Sequence, residues 1–225
     1  MPRVGVVIPS SNTVMEVDLY RGVPAGVTVH TARMYMVETT PEGEASMLDD
    51  HLPGAVRDLA SAHPDIVVFG CTSAGALRGK AYEAELIRRL ADETGAEAIS
   101  VATAVGEAIN RRGAKRVGVV TPYIDSLNEK IRESLEADGL EVAGIHGLGI
   151  DENFEIAAVE PQRIAEFAAE RFGGASIDLL FASCTNFRAL DAVDRIEDRL
   201  GVPVMTSNLA ALEAVMEQLP TAARA

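Results

Sequence analysis

The runs RVGVVIP (Arg3–Pro9) and RVGVVTP (Arg116–Pro122) are two copies of one strand-like segment, and a second pair of landmarks keeps their spacing. Asp65 opens an apolar run that leads to Cys71, and Asp178 opens one that leads to Cys184. From 3 to 116, from 65 to 178 and from 71 to 184 is 113 residues each time. Val-rich strands look alike on composition alone, which accounts for the first pair. A Cys-Thr dipeptide in the same register needs more. The repeat predicts two α/β halves of similar topology, divided near residues 100–115.

Within each half, short Val/Ile-rich runs alternate with longer amphipathic segments, the pattern of parallel sheet built from βα units. Strands are expected at 3–9, 27–33, 65–70 and 97–101, then at 116–122, 141–145, 178–183 and 202–206. Ile124, Leu127, Ile131 and Leu135 recur at helical spacing before Gly139, a helix stop. Further helices are expected at 46–62, 81–94, 161–172 and 208–219. The predicted fold class is α/β: two similar Rossmann-like halves, 1–105 and 106–225, with parallel sheets related by pseudo-two-fold symmetry. The C-terminal helix 208–219 is expected to pack back on the first half. Open parallel sheets bind ligands beyond the carboxyl ends of their strands. Both Cys-Thr pairs stand there, as do PSSNT (Pro9–Thr13) and TPY (Thr121–Tyr123). Halves that face one another place all four segments around one cleft, the expected active site.

A chain of 225 residues can bury a core without disulfides. Its two cysteines do not resemble a secreted scaffold, and a cytoplasmic location would keep them reduced. No apolar run approaches the roughly 20 residues of a membrane helix. The short N-terminal run is broken by Pro9, below signal-peptide length, so neither export nor a membrane partner is expected. A formal net charge of −14 argues against nucleic acid as a partner, since phosphate contacts need a basic surface. With no tryptophan and 4% aromatic residues, stacking platforms for bases are scarce as well. The same charge gives an anionic ligand no long-range help. A carboxylate site must therefore be built locally, from backbone amides, side-chain amides and hydroxyls.

A cysteine at a strand-to-helix turn is placed for activation, yet a single one is more often a packed small hydrophobe. Two in matched register, followed by Thr72-Ser73 and Thr185-Asn186, point instead to chemistry. Neither lies in a CxxC, and His30, His51, His63 and His146 lack ligand spacing, so no metal is expected. IPSSNT and TPYIDS stand where a GxGxxG would follow each first strand, and no P-loop is present, so no nucleotide cofactor is implied. Ser10, Ser11, Asn12 and Thr13 form an uncharged hydroxyl-amide cluster suited to capping a helix, to binding an anion, or to both. Tyr123 occupies the equivalent turn of the second half.

PSSNT, GCTSAG (Gly70–Gly75) and SCTNFR (Ser183–Arg188), set in a duplicated α/β chain, resemble the aspartate/glutamate racemase superfamily. Within it the chain is most similar to the maleate cis-trans isomerases, over about residues 3–219. The resemblance implies a cofactor-free reaction on a small dicarboxylate, with Cys71 as nucleophile and Cys184 as acid/base. It implies substrate-binding roles for Asn12, Tyr123 and Asn153, the last in a loop, with Thr72, Ser73, Thr185, Asn186 and the Ser10 loop holding carboxylates. A homodimer or higher homo-oligomer is its further implication. Three alternatives stand beside it. A two-base racemase of an acidic amino acid would use the same thiol pair on one Cα–H. An arylmalonate-type decarboxylase would keep only the second thiol. A non-enzymatic ligand-binding module would need neither.

Overall fold

The structure, a computed structural model, describes residues 1–223. Among the described residues there are eight strands: β1 (Arg3–Pro9), β2 (Thr28–Met34), β3 (Ile66–Phe69), β4 (Glu97–Ser100), β5 (Arg116–Thr121), β6 (Glu141–Gly147), β7 (Leu179–Ala182) and β8 (Val204–Thr206). They form two four-stranded sheets in the orders β2-β1-β3-β4 and β6-β5-β7-β8, with every pairing parallel. The fold is the expected pair of α/β halves.

The repeat is visible in the strand register. Val4 pairs with Ile66 in the first sheet and Val117 with Leu179 in the second, each partner 113 residues from its counterpart. The two aspartates that opened the Cys-bearing runs lie at the far end of the sheets and act as clamps. Arg3 N–H donates to the Asp65 carboxylate at 2.8 Å while Arg3 Nε donates to the His63 carbonyl at 2.6 Å. Arg116 N–H donates to Asp178 and Arg116 Nε to the Ser176 carbonyl, both at 2.8 Å. Each clamp fixes the start of a central strand beside the strand that carries a cysteine at its other end.

β1, β3, β5 and β7 are almost wholly buried runs of Val, Ile, Leu and Phe, as sheets covered on both faces require. Side chains alternate across the first sheet. Val4, Val6, Ile8 and Val68 join the large core shared with the second half, whereas Val7, Val67 and Phe69 pack outward with Leu52, Val56 and Leu59. Two helices cross between the halves. Val101–Arg111 follows β4 and also packs on β8; Ser207–Gln218 follows β8 and also packs on β3, β4 and the helix Met15–Gly22. The first of these spans residues 105–106, the boundary expected between the halves.

Several helix expectations need correction. The segment expected as one helix at 46–62 begins earlier, as Pro41–Ser46, and runs through a π-helical turn (Met47–His51) into Leu52–Ala60. Thr40 supplies the start that the apolar periodicity could not show, its hydroxyl accepting the Gly43 N–H at 3.1 Å. Asn153, expected in a loop, is the first residue of a short helix, Asn153–Ala158. The apolar periodicity gives no range for the helices Met15–Gly22, Thr72–Leu77, Val101–Arg111 and Val193–Leu200.

Candidate active site

At the end of β3 the chain turns at Gly70, where a Cβ would lie 2.6 Å from Ile8 Cγ2 and Met15 Sδ, so only glycine fits. Cys71 follows in extended conformation as the N-cap residue of the helix Thr72–Leu77. Its sulfur is 3.9 Å from the Ser73 hydroxyl. Ser73 in turn donates a short hydrogen bond to Glu44 Oε1, on the helix Pro41–Ser46. Glu44 is fully buried, and its other oxygen, Oε2, has no hydrogen-bond partner.

The second thiol is held differently. Cys184 has φ of +109°, a conformation that favours glycine. Its N–H donates to Ser207 Oγ at 3.0 Å and its sulfur accepts the Asn186 N–H at 3.3 Å, with the nearby Tyr123 hydroxyl favouring the thiolate. Backbone strain of this kind is worth about 1–3 kcal/mol and is retained where the surroundings enforce it. Cys184→Gly should therefore be more stable than Cys184→Ala by roughly 1 kcal/mol, read as the difference in their denaturant midpoints. Equal stabilities would show that the turn carries no strain.

The two cysteine loops are laced together by side chains. Asn12 Nδ2 donates to Thr185 Oγ1 at 3.0 Å, and Thr185 Oγ1 donates to the Gly70 carbonyl at 3.0 Å, beside Cys71. Thr72 Oγ1 donates to Ser207 Oγ at 2.9 Å, the same oxygen that receives the Cys184 N–H. Asn12 also caps the helix Met15–Gly22, its Oδ1 accepting from Val14 and Met15 at 3.0 and 3.1 Å. Asn186 Oδ1 accepts the Thr13 N–H at 2.9 Å, and its Nδ2 donates to the Asn153 carbonyl at 2.6 Å. Asn153 Nδ2 donates to Ser11 Oγ at 2.8 Å, while the Ser10 and Ser11 hydroxyls donate to the Met36 carbonyl at 3.3 and 2.7 Å. The structure thus brings Cys71, Cys184, Asn12, Thr72, Ser73, Tyr123, Asn153, Thr185 and Asn186 into one connected cluster. Ser10 lies at its edge, fastened to the segment after β2. Tyr123 reaches the site because its carbonyl passes directly over Gly147, where no side chain would fit.

Two members escaped the sequence reading. Glu44 sits in PEGEAS, which has no periodicity to place it in a site. Ser207 sits in TSN at the end of β8, where the clustering of capping residues at a strand's carboxyl end was an available signal.

Burial dominates the electrostatics. It drives the Cys71 thiol well above its ordinary 9.0, with charge on Glu44 and Cys184 adding to the rise. Burial takes Cys184 to about 11, held back by the Tyr123 hydroxyl and the Asn186 N–H. Tyr123 is pushed well above 10 by burial and by the two thiols. Burial raises Glu44 from 4.5 to about 8, opposed by the Ser73 hydrogen bond. Among these four groups Glu44 is the first to ionise. Both thiols are free, and each cysteine is 5% exposed. Among the described residues no three His, Cys, Asp or Glu gather to hold a metal, and no helix is long and apolar enough to cross a membrane.

A sequence-family model described as arylmalonate decarboxylase matches residues 4–225. The chain belongs to the arylmalonate decarboxylase family. Among curated members similar to it is a maleate isomerase from Geobacillus stearothermophilus, 27% identical, with the match covering 96% of this chain and 91% of that protein. The arylmalonate decarboxylase of Bordetella bronchiseptica is 29% identical, over 92% of this chain and 86% of that protein. Of solved structures in the family, a cysteine-to-alanine variant of the maleate isomerase Iso from Pseudomonas putida S16, with maleate, superposes with a TM-score of 0.90 at 29% identity, covering 98% and 93% of the two chains. A cysteine-to-serine variant of the Nocardia farcinica maleate cis-trans isomerase carries a covalently bound succinylcysteine intermediate. It superposes with a TM-score of 0.88 at 28% identity, covering 96% and 92%.

Proposed function

We propose that this protein is an isomerase that converts maleate to fumarate without a cofactor, through a succinyl thioether on Cys71. The observation that carries the reading is the pair of free thiols, one at the end of each central Cys-bearing strand, linked by hydrogen bonds between the halves. The relative that holds a succinylcysteine supports it.

The reaction starts from the ionised form of Cys71, reached when its thiol gives up its proton to solvent; this thiolate adds to one alkene carbon and the π electrons move toward the adjacent carboxylate. Cys184 donates its proton to the neighbouring carbon, which completes a C–S and a C–H bond. The former double bond is now single and rotates. The Cys184 thiolate then removes a proton from that carbon, the trans double bond forms, and the C–S bond breaks to release the Cys71 thiolate. Covalent addition replaces one prohibitive rotation by two accessible steps. Negative charge builds on a carboxylate during addition, so fixed donors stabilise that stage. The donors we assign are the Tyr123 hydroxyl, the second amide hydrogens of Asn12 and Asn153, and the loops Thr72-Ser73 and Thr185-Asn186. Ser10 supports the loop that presents Asn12. We also read the enzyme as cytoplasmic and homo-oligomeric; the exposed side chains of Tyr35, Val37 and Phe154 support association between copies.

Proton NMR of maleate incubated with the protein in deuterium oxide tests the assignment. Fumarate should form with the wild type and not with Cys71→Ala. Exchange at Cα of aspartate or glutamate without maleate turnover would instead identify a racemase. Silence toward both would identify a binding module.

A further inference from the structure

Glu44 takes no part in those steps, yet it lies one hydrogen bond beyond the reacting sulfur. The Ser73 hydroxyl 3.9 Å from Cys71 Sγ is the same hydroxyl that donates to Glu44 Oε1. Oε1 is therefore an acceptor, and Oε2 is buried without a partner. Among the described residues no cation pairs with this carboxyl. An ionised Glu44 would leave a charged oxygen unsolvated beside a dianionic substrate, whereas a proton on Oε2 turns the same atom into a hydrogen-bond donor. We propose that Glu44 is a substrate-binding residue that acts as an undissociated carboxylic acid, with Ser73 holding Oε1 and Oε2–H donating to a carboxylate of the bound diacid. The proposal rests on a diacid occupying this site.

Within the site, Glu44 is the group that ionises first as the pH rises. Cys71 and Cys184, one from each half, lie close enough to feel its charge, and burial holds both thiols and Tyr123 in their neutral forms to higher pH. On the π-helical turn, Asp49 is paired with Arg78 at 2.7 and 2.6 Å, Asp50 accepts from Ser46 at 2.8 Å, and His51 stacks edge-on against Tyr35. Glu42 on the same helix and Glu38 before it are exposed. With the Glu44 carboxyl at about 8, a diacid should bind well at neutral pH and progressively worse above that point.

Succinate is the probe, since it has two carboxylates and no double bond for Cys71 to attack. Calorimetric titration should show its affinity for the wild type falling about tenfold per pH unit once Glu44 ionises. Glu44→Gln, neutral and still able to donate, should bind within about threefold of the wild type at pH near 6 and keep that affinity as the pH rises. In the wild type above that pH, binding should take up close to one proton, read from the buffer dependence of the heat. Parallel weakening in both proteins, no proton uptake, or loss of more than about tenfold in Glu44→Gln at low pH would overturn the proposal. Maleate turnover measured on the same samples separates the two readings. Turnover together with any of those results removes Glu44 from binding and leaves the isomerase. The expected succinate pattern without turnover removes the isomerase and leaves a diacid site. If no diacid binds, both fail.

Discussion

Cys184→Ser should turn the enzyme into one that stalls with the diacid attached to Cys71. After addition, the substrate can leave only when a base removes the proton from the carbon next to the new C–S bond. The Cys184 thiolate, whose conjugate thiol is pushed up to about 11, can serve as that base, whereas serine is too weak an acid to be present as its alkoxide. General acid–base assistance of this kind contributes about 10²–10⁴-fold, so turnover should fall by that factor while the adduct accumulates. Intact mass spectrometry after incubation with maleate should show the protein heavier by one maleic acid, and peptide mapping should place the added mass on Cys71. Cys71→Ser should show neither adduct nor turnover. Modification of Cys184 in the Cys71→Ser protein, with Cys71 left clean in Cys184→Ser, would reverse the two roles. The geometry gives a reason to expect the stated order. The Asn186 N–H donates to the Cys184 sulfur and the nearby Tyr123 hydroxyl also favours the thiolate, which eases the charge it holds while a proton is away.

The repeat made the architecture readable because it copies physical constraints as well as sequence. Asp65 and Asp178 recur in register because each clamps the start of a central strand, and the cysteines recur because the same strands end at the site. Val/Ile-rich runs located all eight strands, most clearly the central β1, β3, β5 and β7, which are buried on both faces. The site was legible where its residues sit at strand ends: Asn12, Cys71, Tyr123 and Cys184 are all two or three residues past a strand. What stayed hidden depends on contacts between distant segments. Glu44 enters the site on a helix started by Thr40 and ended in a π-helical turn, and nothing in PEGEAS points inward. The left-handed backbone at Cys184 has no sequence signature at a non-glycine residue, and it breaks the symmetry between the thiols, since Cys71 is extended. Asn153 read as loop because a six-residue helix is too short to show periodicity.

Glu44→Gln should stabilise the fold at slightly alkaline pH and leave it nearly unchanged in acid. In the unfolded chain this carboxyl titrates at its ordinary 4.5, while burial holds it protonated in the native state up to about 8. Between those values the native protein carries a proton that the unfolded chain has lost. Stability then falls as pH rises, by about 1.4 kcal/mol per unit. Over the interval from 4.5 to about 8, the sum is roughly 4–5 kcal/mol. Below 4.5 both states hold the proton and the contribution is flat; above about 8 both have lost it and it is flat again. Glutamine has nearly the same shape and no proton to lose, so its stability lacks this slope. Other groups with shifted pKa values, Asp18 and Asp138 raised by burial and His146 lowered by it, titrate in both proteins and cancel in the difference. Urea midpoints for the two proteins should nearly coincide close to pH 4.5 and diverge steadily toward pH 8, with the variant ahead. A gap that stays constant across that range, or one that favours the wild type as pH rises, would mean that Glu44 is charged in the folded protein. Its place beside the thiols would then be that of an anion, which repels a dicarboxylate instead of binding one.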